Sequence, residues 1–157
     1  MLLKYYSEAN LKEIGEAKSY AELLFVAIEV LQTIHEESFL RPVAIICGPI
    51  STGGKGSRQA NLEIFARAIN RVSAGGLCVF SQMPFENDME RIFKSSPRLQ
   101  GLRLLEEFYL PIFEMKFISL MCFLPGWEKS VGASWEHEQA KRLGIPIIYL
   151  AQSYVDD

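Results

Sequence analysis

A chain of 157 residues, 49% hydrophobic and 22% charged, has the length and composition of one globular domain with a sizeable apolar core. A net charge of −3 and a pI near 5.5 argue against a nucleic acid polymer as partner, because such proteins use basic faces to displace phosphate counterions. No apolar run approaches membrane-spanning length and no signal-peptide pattern is visible, so we expect no membrane partner and a cytoplasmic location.

The cysteines and histidines do not form a metal-binding pattern. Cys47, Cys78 and Cys122 each lie alone in an apolar run, which favours buried free thiols and a reducing compartment. The two histidines, His35 and His137, are far apart in the chain. We therefore expect no zinc site, no other metal and no cofactor.

Residues 1–42 are predicted to be an N-terminal helical extension packed on the domain that follows. A short helix is possible over residues 10–17, and Ser19 with Glu22 predicts a capping box. Apolar residues then recur with the helical period over residues 21–37, which predicts a packed helix. No catalytic chemistry is visible in this part of the chain.

The first predicted strand leads into a glycine-rich loop. The run VAIIC, Val43–Cys47, is β-branched and ends at a glycine, as is typical of a strand. The loop GPISTGGKGS, residues 48–57, is not a P-loop, since GxxxxGK[ST] requires glycine in place of Pro49 and a hydroxyl in place of Gly56. It is either a flexible connection or a slim backbone that closes over a small ligand. The second interpretation depends on Gly48, Gly53 and Gly54.

A helical pattern over residues 58–72 follows this loop. Asn61 lies on its inward face near the helix start, so we expect its side chain to hold the preceding loop by hydrogen bonds. Gly75 and Gly76 end the helix, and residues 77–80 predict a second strand. Strand, helix and strand in this order imply a parallel pair with a right-handed crossover.

A long segment separates the second and third predicted strands. Residues 81–98 are polar and turn-rich, with a possible helical turn around residues 89–93. A helix is predicted at about residues 99–109, and Pro111 must break it or begin a second short helix at residues 112–116. The segment is interpreted as either a lid or one wall of a cleft.

A strand, a loop of small residues and a helix then make a candidate anion site. The apolar run at residues 117–123 predicts the third strand, and an amphipathic helix runs from about Gly132 to Leu143. The loop between them contains proline, glycine and Ser130, residue types that expose backbone N–H groups at a helix start. Residues 145–150 predict the last strand.

Glu136 does not fit the apolar pattern of this helix. Ala133, Glu136, Ala140 and Leu143 share the face expected to pack on the sheet, and Trp135 is expected on the other side. Buried carboxylates are rare unless paired or functional. Glu136 is either a charge at the rim of the packed face, stabilised by the helix dipole, or a catalytic carboxylate facing a cleft at the strand's carboxyl end.

These elements predict an α/β protein with a three-layer, Rossmann-like (flavodoxin-like) fold. The parallel sheet would have four or five strands with helices on both faces. The domain would occupy residues 43–157, preceded by the helical extension at residues 1–42.

Several motifs match a known pattern: CGPIS after the first strand, Asn61 with Phe65 and Ala68, LPGWEKSVGASWE, and LGIPI. Together they resemble the nucleoside 2-deoxyribosyltransferase superfamily over about residues 43–150. The nearest branch, found in bacteria and phages, carries an LPGWE…SxGAxxE signature, and the 2'-deoxynucleoside 5'-phosphate N-hydrolases are more distant relatives. The resemblance leaves residues 1–42 unexplained and matches residues 81–110 poorly.

The resemblance implies an N-glycosidase or deoxyribosyltransferase that acts on a nucleoside or nucleoside 5'-monophosphate. Glu136 would be the carboxylate nucleophile that attacks the anomeric carbon of the sugar. The first loop would border base and sugar, and the start of the last helix would hold a phosphate. The substrate- or phosphate-binding residues implied in this way are Gly48, Pro49, Ile50, Ser51, Gly53, Asn61, Ser130 and Gly132.

Two positions depart from the superfamily pattern. An aspartate is usual where this chain has Pro111. The 5'-phosphate N-hydrolases also carry an arginine in the first loop, and in this chain Lys55 or Arg58 would have to replace it. The missing aspartate leaves open a module that senses a nucleotide-derived ligand without cleaving it. The glycine-rich loop at residues 48–57 leaves open a third alternative, a phosphotransferase. Relatives pair so that one subunit completes its neighbour's site, which implies a homodimer or higher homo-oligomer.

Overall fold

The computed structural model describes residues 3–39, 41–51, 54–95 and 103–157. The strands are β1 (Val43–Cys47), β2 (Cys78–Val79), β3 (Leu120–Phe123) and β4 (Ile147–Tyr149). The α-helices are α1 (Glu8–Glu16), α2 (Tyr20–Ser38), α3 (Arg58–Ala74), α4 (Glu86–Ser95), α5 (Leu110–Glu114) and α6 (Val131–Leu143). A π-helical turn lies at Leu105–Tyr109, and 3-10 turns lie at Met83–Phe85, Trp127–Lys129 and Gln152–Tyr154.

The four strands form one parallel sheet in the order β2-β1-β3-β4, which begins the flavodoxin-like order. β1 and β3 are central, and their register pairs Ala44 with Leu120 and Cys47 with Phe123. Every residue of both strands is buried, as expected for parallel strands covered on both faces. The predicted three-layer α/β Rossmann-like fold is confirmed.

Side chains that alternate along β1 separate the two outer layers. Ile45 and Cys47 face the layer that contains α2 and α6, whereas Ala44 and Ile46 face α3 and the C-terminal 3-10 turn. The strand residues therefore have no polar face, because each side of the sheet is covered by helices. Ile148 of the edge strand β4, in contrast, is 43% exposed.

The two N-terminal helices pack in the same apolar cluster as β1. The Ser19 side chain accepts a hydrogen bond from the Glu22 N–H, as predicted for the start of α2. The other half of the predicted capping box is wrong, because the Glu22 carboxylate accepts from the Lys18 N–H instead. Among the described residues, no helix has the length and apolar content that crossing a membrane would require.

The structure corrects the interpretation of the segment between β2 and β3. The possible helical turn at residues 89–93 is the ten-residue helix α4. Pro111 does not break the next helix, which runs from residue 103 through the π-helical turn into α5. In the π turn the Leu110 N–H donates to the Leu105 carbonyl, and this wider turn relieves the clash that a proline ring otherwise makes with the preceding turn.

Smaller corrections concern strand ends and one aromatic residue. β3 begins at Leu120 and β4 at Ile147, both later than the apolar runs suggest. Trp135, expected on the outer side of α6, is half-buried and packs on Phe113 with ring centroids 6.2 Å apart. Of the helix predicted at about residues 99–109, the part up to residue 102 lies outside the described residues.

Candidate active site

A pocket of about 430 Å³ opens at the carboxyl ends of the strands. Its walls come from the residues that follow β1 and β2, from the π-helical turn and from the start of α6. In open parallel sheets, ligands bind beyond the strands' carboxyl ends, where the strand order reverses on either side of β1. The pocket is therefore where the fold predicts a binding site.

Most of the predicted site residues lie around this pocket. Six of them line it: Gly48, Ile50, Ser51, Ser130, Gly132 and Glu136. Pro49 and Asn61 line a separate cleft of about 280 Å³ instead. Gly53 lies outside the described residues.

Asn61 holds the loop after β1, as its position near the helix start predicted. Its side-chain Nδ2 donates to the Ile50 carbonyl at 2.8 Å, and its Oδ1 accepts from the Lys55 N–H at 2.9 Å. A Cβ on Gly48 would lie 2.6 Å from Leu124 Cδ1, so glycine lets this loop pass close to the end of β3. Asn61 therefore shapes the pocket through the loop rather than lining it.

Glu136 lies on the buried face of α6, in the row with Ala133 and Ala140. One carboxyl oxygen, Oε2, accepts a hydrogen bond from Cys47 Sγ at 3.4 Å. Among the described residues the carboxyl group forms no ion pair and no second hydrogen bond. Burial raises the pKa of Glu136 to about 8, with a smaller contribution from the charge of Glu86, while the Cys47 hydrogen bond opposes the rise.

Ser130 and Gly132 form the start of α6 beside this carboxyl group. Ser130 is the N-cap residue, and its hydroxyl accepts from the Ala133 N–H at 3.2 Å. Its side chain therefore stabilises the helix start, which brings positive backbone dipoles to the pocket wall. This geometry fits an anionic or hydrogen-bond-accepting group of a ligand.

A second carboxyl group, Glu86, lines the same pocket, although the sequence analysis did not identify it. It lies in the first turn of α4 and is contacted by Arg58, whose Nη2 is 2.8 Å from the Glu86 carbonyl and 3.4 Å from Oε2. Burial raises the pKa of Glu86 to about 7; Arg58 opposes this rise and Glu90 adds to it. The two pocket carboxyl groups thus titrate near neutral pH.

A local signal for Glu86 was present in the sequence. Phe85, Met89 and Ile92 recur at helical spacing, which predicts an amphipathic helix with Glu86 beside its apolar row. All three apolar residues are buried in the structure. What could not be read is the contact with Arg58, which lies 28 positions earlier in the chain.

Lys55 and Arg58, the two residues that could replace the first-loop arginine of the N-hydrolases, do not line the pocket. Arg58 is held by Glu86 and by Glu90, 3.2 Å from its Nη1. Lys55 lines the separate cleft. Among the described residues, the pocket lining contains no lysine or arginine.

Tyr109 and Gln82 complete the polar part of the pocket wall. The Gln82 Nε2 donates to the Ile46 carbonyl at 2.8 Å, which holds the amide beside the end of β1. Burial raises the pKa of Tyr109 well above its usual value, and the charges of Glu86 and Glu136 raise it further. Apolar side chains such as Phe65 and Leu105 form much of the remaining wall.

One protein family matches residues 43–149, from the start of β1 to the end of β4. The chain belongs to this family, described as a domain of unknown function (DUF4406). Neither the curated proteins nor the solved structures include a match to the chain. The DUF4406 domain contains every described residue of the pocket, whereas α1 and α2 precede it.

Proposed function

We propose that this DUF4406 domain cleaves the N-glycosidic bond of a nucleoside or nucleoside 5'-monophosphate, by hydrolysis or by deoxyribosyl transfer. The supporting observation is the buried carboxyl group of Glu136 in the wall of an open pocket, without an ion-pair partner among the described residues. The same observation, with the motifs quoted above, supports a relationship to the nucleoside 2-deoxyribosyltransferase superfamily.

The proposed reaction has two steps. In the first, a Glu136 oxygen bonds to the anomeric carbon as the bond to the base breaks, and the bonding electron pair leaves with the base, which takes a proton from Glu86. In the second, water or another base attacks the anomeric carbon, gives its proton to Glu86 and releases the Glu136 carboxylate. The apolar wall favours this chemistry by excluding bulk water.

The pair of carboxyl groups needs one proton between them for this reaction. Glu136 must be ionised to attack, and Glu86 must be protonated to donate. Because the pKa of Glu136 lies at about 8, that of Glu86 at about 7, and the two groups interact, the singly protonated pair is populated between these values. The shared proton resides mainly on Glu136, so the reactive arrangement, with Glu136 ionised and Glu86 protonated, is the minor form of this pair. A neutral to slightly alkaline reaction optimum follows.

The start of α6 supports a role in positioning the substrate. A 5'-phosphate or a sugar oxygen placed against Ser130 and Gly132 would orient the anomeric carbon toward Glu136, four residues beyond Gly132 on the same helix. Oriented binding of this kind accounts for much of the rate acceleration in group-transfer enzymes.

A second candidate function is a module that senses a nucleotide-derived ligand without cleaving it. It is favoured by Pro111, which stands where the superfamily usually has an aspartate, and by the raised pKa of Glu136, which leaves the group largely protonated at pH 7. This candidate predicts that an intact nucleotide raises the melting temperature and yields no free base during long incubation.

The test is release of free base from a panel of nucleosides, 2'-deoxynucleosides and their 5'-monophosphates. We expect release by the wild type and a loss of at least about 1,000-fold in Glu136→Gln, because the nucleophile is removed. Glu138→Gln is the matched control, since Glu138 lies on the exposed side of the same helix. Equal release by wild type and Glu136→Gln would remove Glu136 from the chemistry, and ligand stabilisation without release would favour the sensor.

We also propose a homo-oligomer located in the cytoplasm. The edge strand β4 exposes Ile148 and Tyr149, which a second copy could cover. The free cysteines Cys47, Cys78 and Cys122 fit a reducing compartment. Light scattering after size-exclusion chromatography tests the first proposal: a monomer at micromolar concentration would contradict it.

A further inference from the structure

Tyr109 is a pocket residue to which the sequence motifs assign no function. It lines the same pocket as Glu86 and Glu136 and is 6% exposed. Its ring is held by Phe108, in an edge contact with centroids 4.9 Å apart, and by Phe113, stacked at 6.2 Å. The ring is therefore fixed on its apolar side, and only the hydroxyl end is available for polar contacts.

The π-helical turn contains Tyr109 and supplies part of the pocket wall. Phe108 and Tyr109 are adjacent in this turn and both are buried, but they contact different parts of the protein. In the wider turn Phe108 enters the core against Phe85, while Tyr109 and Leu105 line the pocket. Turns of this type are frequent at functional sites because they redirect a side chain at some cost in backbone regularity.

The Tyr109 hydroxyl makes no hydrogen bond to any described residue. It differs from the hydroxyl of Tyr20, which is enclosed in the core without a hydrogen-bond partner among the described residues. Burial and the neighbouring carboxylates raise the pKa of Tyr109 well above its usual value, so the hydroxyl keeps its proton at every physiological pH. It is therefore a permanent hydrogen-bond donor that needs an acceptor in the pocket.

We propose that Tyr109 is a substrate-binding residue whose hydroxyl donates a hydrogen bond to an acceptor on a ligand bound in the pocket that Glu86 and Glu136 also line. On the function proposed above, on which this inference rests, the acceptor is an oxygen of the sugar or a carbonyl oxygen or ring nitrogen of the base. All three kinds of acceptor are uncharged, so the contact requires no phosphate.

The test compares Tyr109→Phe with wild type in two measurements. Tyr109→Phe keeps the ring contacts with Phe108 and Phe113 and removes only the donor, so the melting temperature should not fall. We expect kcat/KM to drop about 10-fold, which is what one lost neutral hydrogen bond costs. Tyr20→Phe, which removes the enclosed hydroxyl outside the pocket, is the matched control and should leave kcat/KM unchanged.

Binding is measured without turnover in the Glu136→Gln background, by calorimetry with 2'-deoxyadenosine, 2'-deoxycytidine, adenine and cytosine. Adding Tyr109→Phe should raise Kd about 10-fold for at least one nucleoside. An equal rise for the free base places the acceptor on the base, and an unchanged Kd for the free base places it on the sugar.

This design separates the two proposals. A rise in Kd without base release by wild type would support the role of Tyr109 while the cleavage reaction fails. An unchanged Kd for every nucleoside, or the absence of binding by all of them, would overturn the role of Tyr109 whatever the outcome for cleavage.

Discussion

Replacing Glu136 with glutamine should stabilise the folded protein at alkaline pH while it removes the proposed nucleophile. In the unfolded chain the Glu136 carboxyl group has its ordinary pKa of 4.5, and in the folded protein burial raises the pKa to about 8. The folded state therefore binds the proton more tightly. This contribution to stability is fully present below pH 4.5 and is lost as the pH rises through about 8.

The size of the effect follows from the gap between the two pKa values. At about 1.4 kcal/mol per pKa unit, the interval from 4.5 to about 8 corresponds to on the order of 5 kcal/mol of unfolding free energy above pH 8. Part of the rise comes from Glu86, which ionises in the same range, so this figure is an upper value. Glutamine is neutral throughout and loses none of this stability.

The assay is urea unfolding of wild type, Glu136→Gln and Glu138→Gln at pH 5 and pH 9. The stability of Glu136→Gln relative to wild type should increase by several kcal/mol between the two values, within the limit of about 5 kcal/mol set by the pKa difference. Glu138→Gln removes the same charge from the exposed side of α6 and should show no such increase. A difference between Glu136→Gln and wild type that does not change with pH would refute the reasoning.

Three further predictions concern the pocket. The profile of kcat/KM against pH should be bell-shaped, with apparent pKa values near 7 and 8 that belong to the Glu86 and Glu136 pair; a profile flat between pH 6 and 9 would contradict this. Cys47→Ala removes the hydrogen bond that lowers the pKa of Glu136, the group with the higher pKa of the pair, so the alkaline limb of the profile should move to higher pH, whereas Cys47→Ser should not move it upward. Asn61→Ala removes the hydrogen bonds to Ile50 and Lys55 in the loop after β1, and it should cost roughly 1–3 kcal/mol in urea unfolding and raise KM; unchanged stability would show that the loop is held otherwise.

Features that depend on local periodicity were predictable from the sequence. The run VAIIC forms β1 with the predicted bounds, and Glu136 shares the buried face of α6 with Ala133 and Ala140. Ser130 lies at the N-cap because a hydroxyl there satisfies an N–H that the helix leaves free. These outcomes need no knowledge of distant contacts.

Features that depend on an irregular turn or on distant contacts were missed. The π-helical turn adds a residue to one helical turn, and the 3.6-residue period gives no sign of such an insertion. The same turn accommodates Pro111, whose ring was expected to break the helix. Buried Glu86 forms an ion pair with Arg58, a residue of another helix, and no spacing in the sequence predicts that contact.

Covalent attachment of the sugar to Glu136 is the most direct test of the central claim. Intact-protein and peptide mass spectrometry should be run on wild type during turnover of 2'-deoxynucleosides. We predict a mass increase of one deoxyribosyl group on the peptide that contains Glu136, absent in Glu136→Gln. Base release by Glu136→Gln at the wild-type rate, or no release by wild type from any member of the panel, would contradict the proposed reaction.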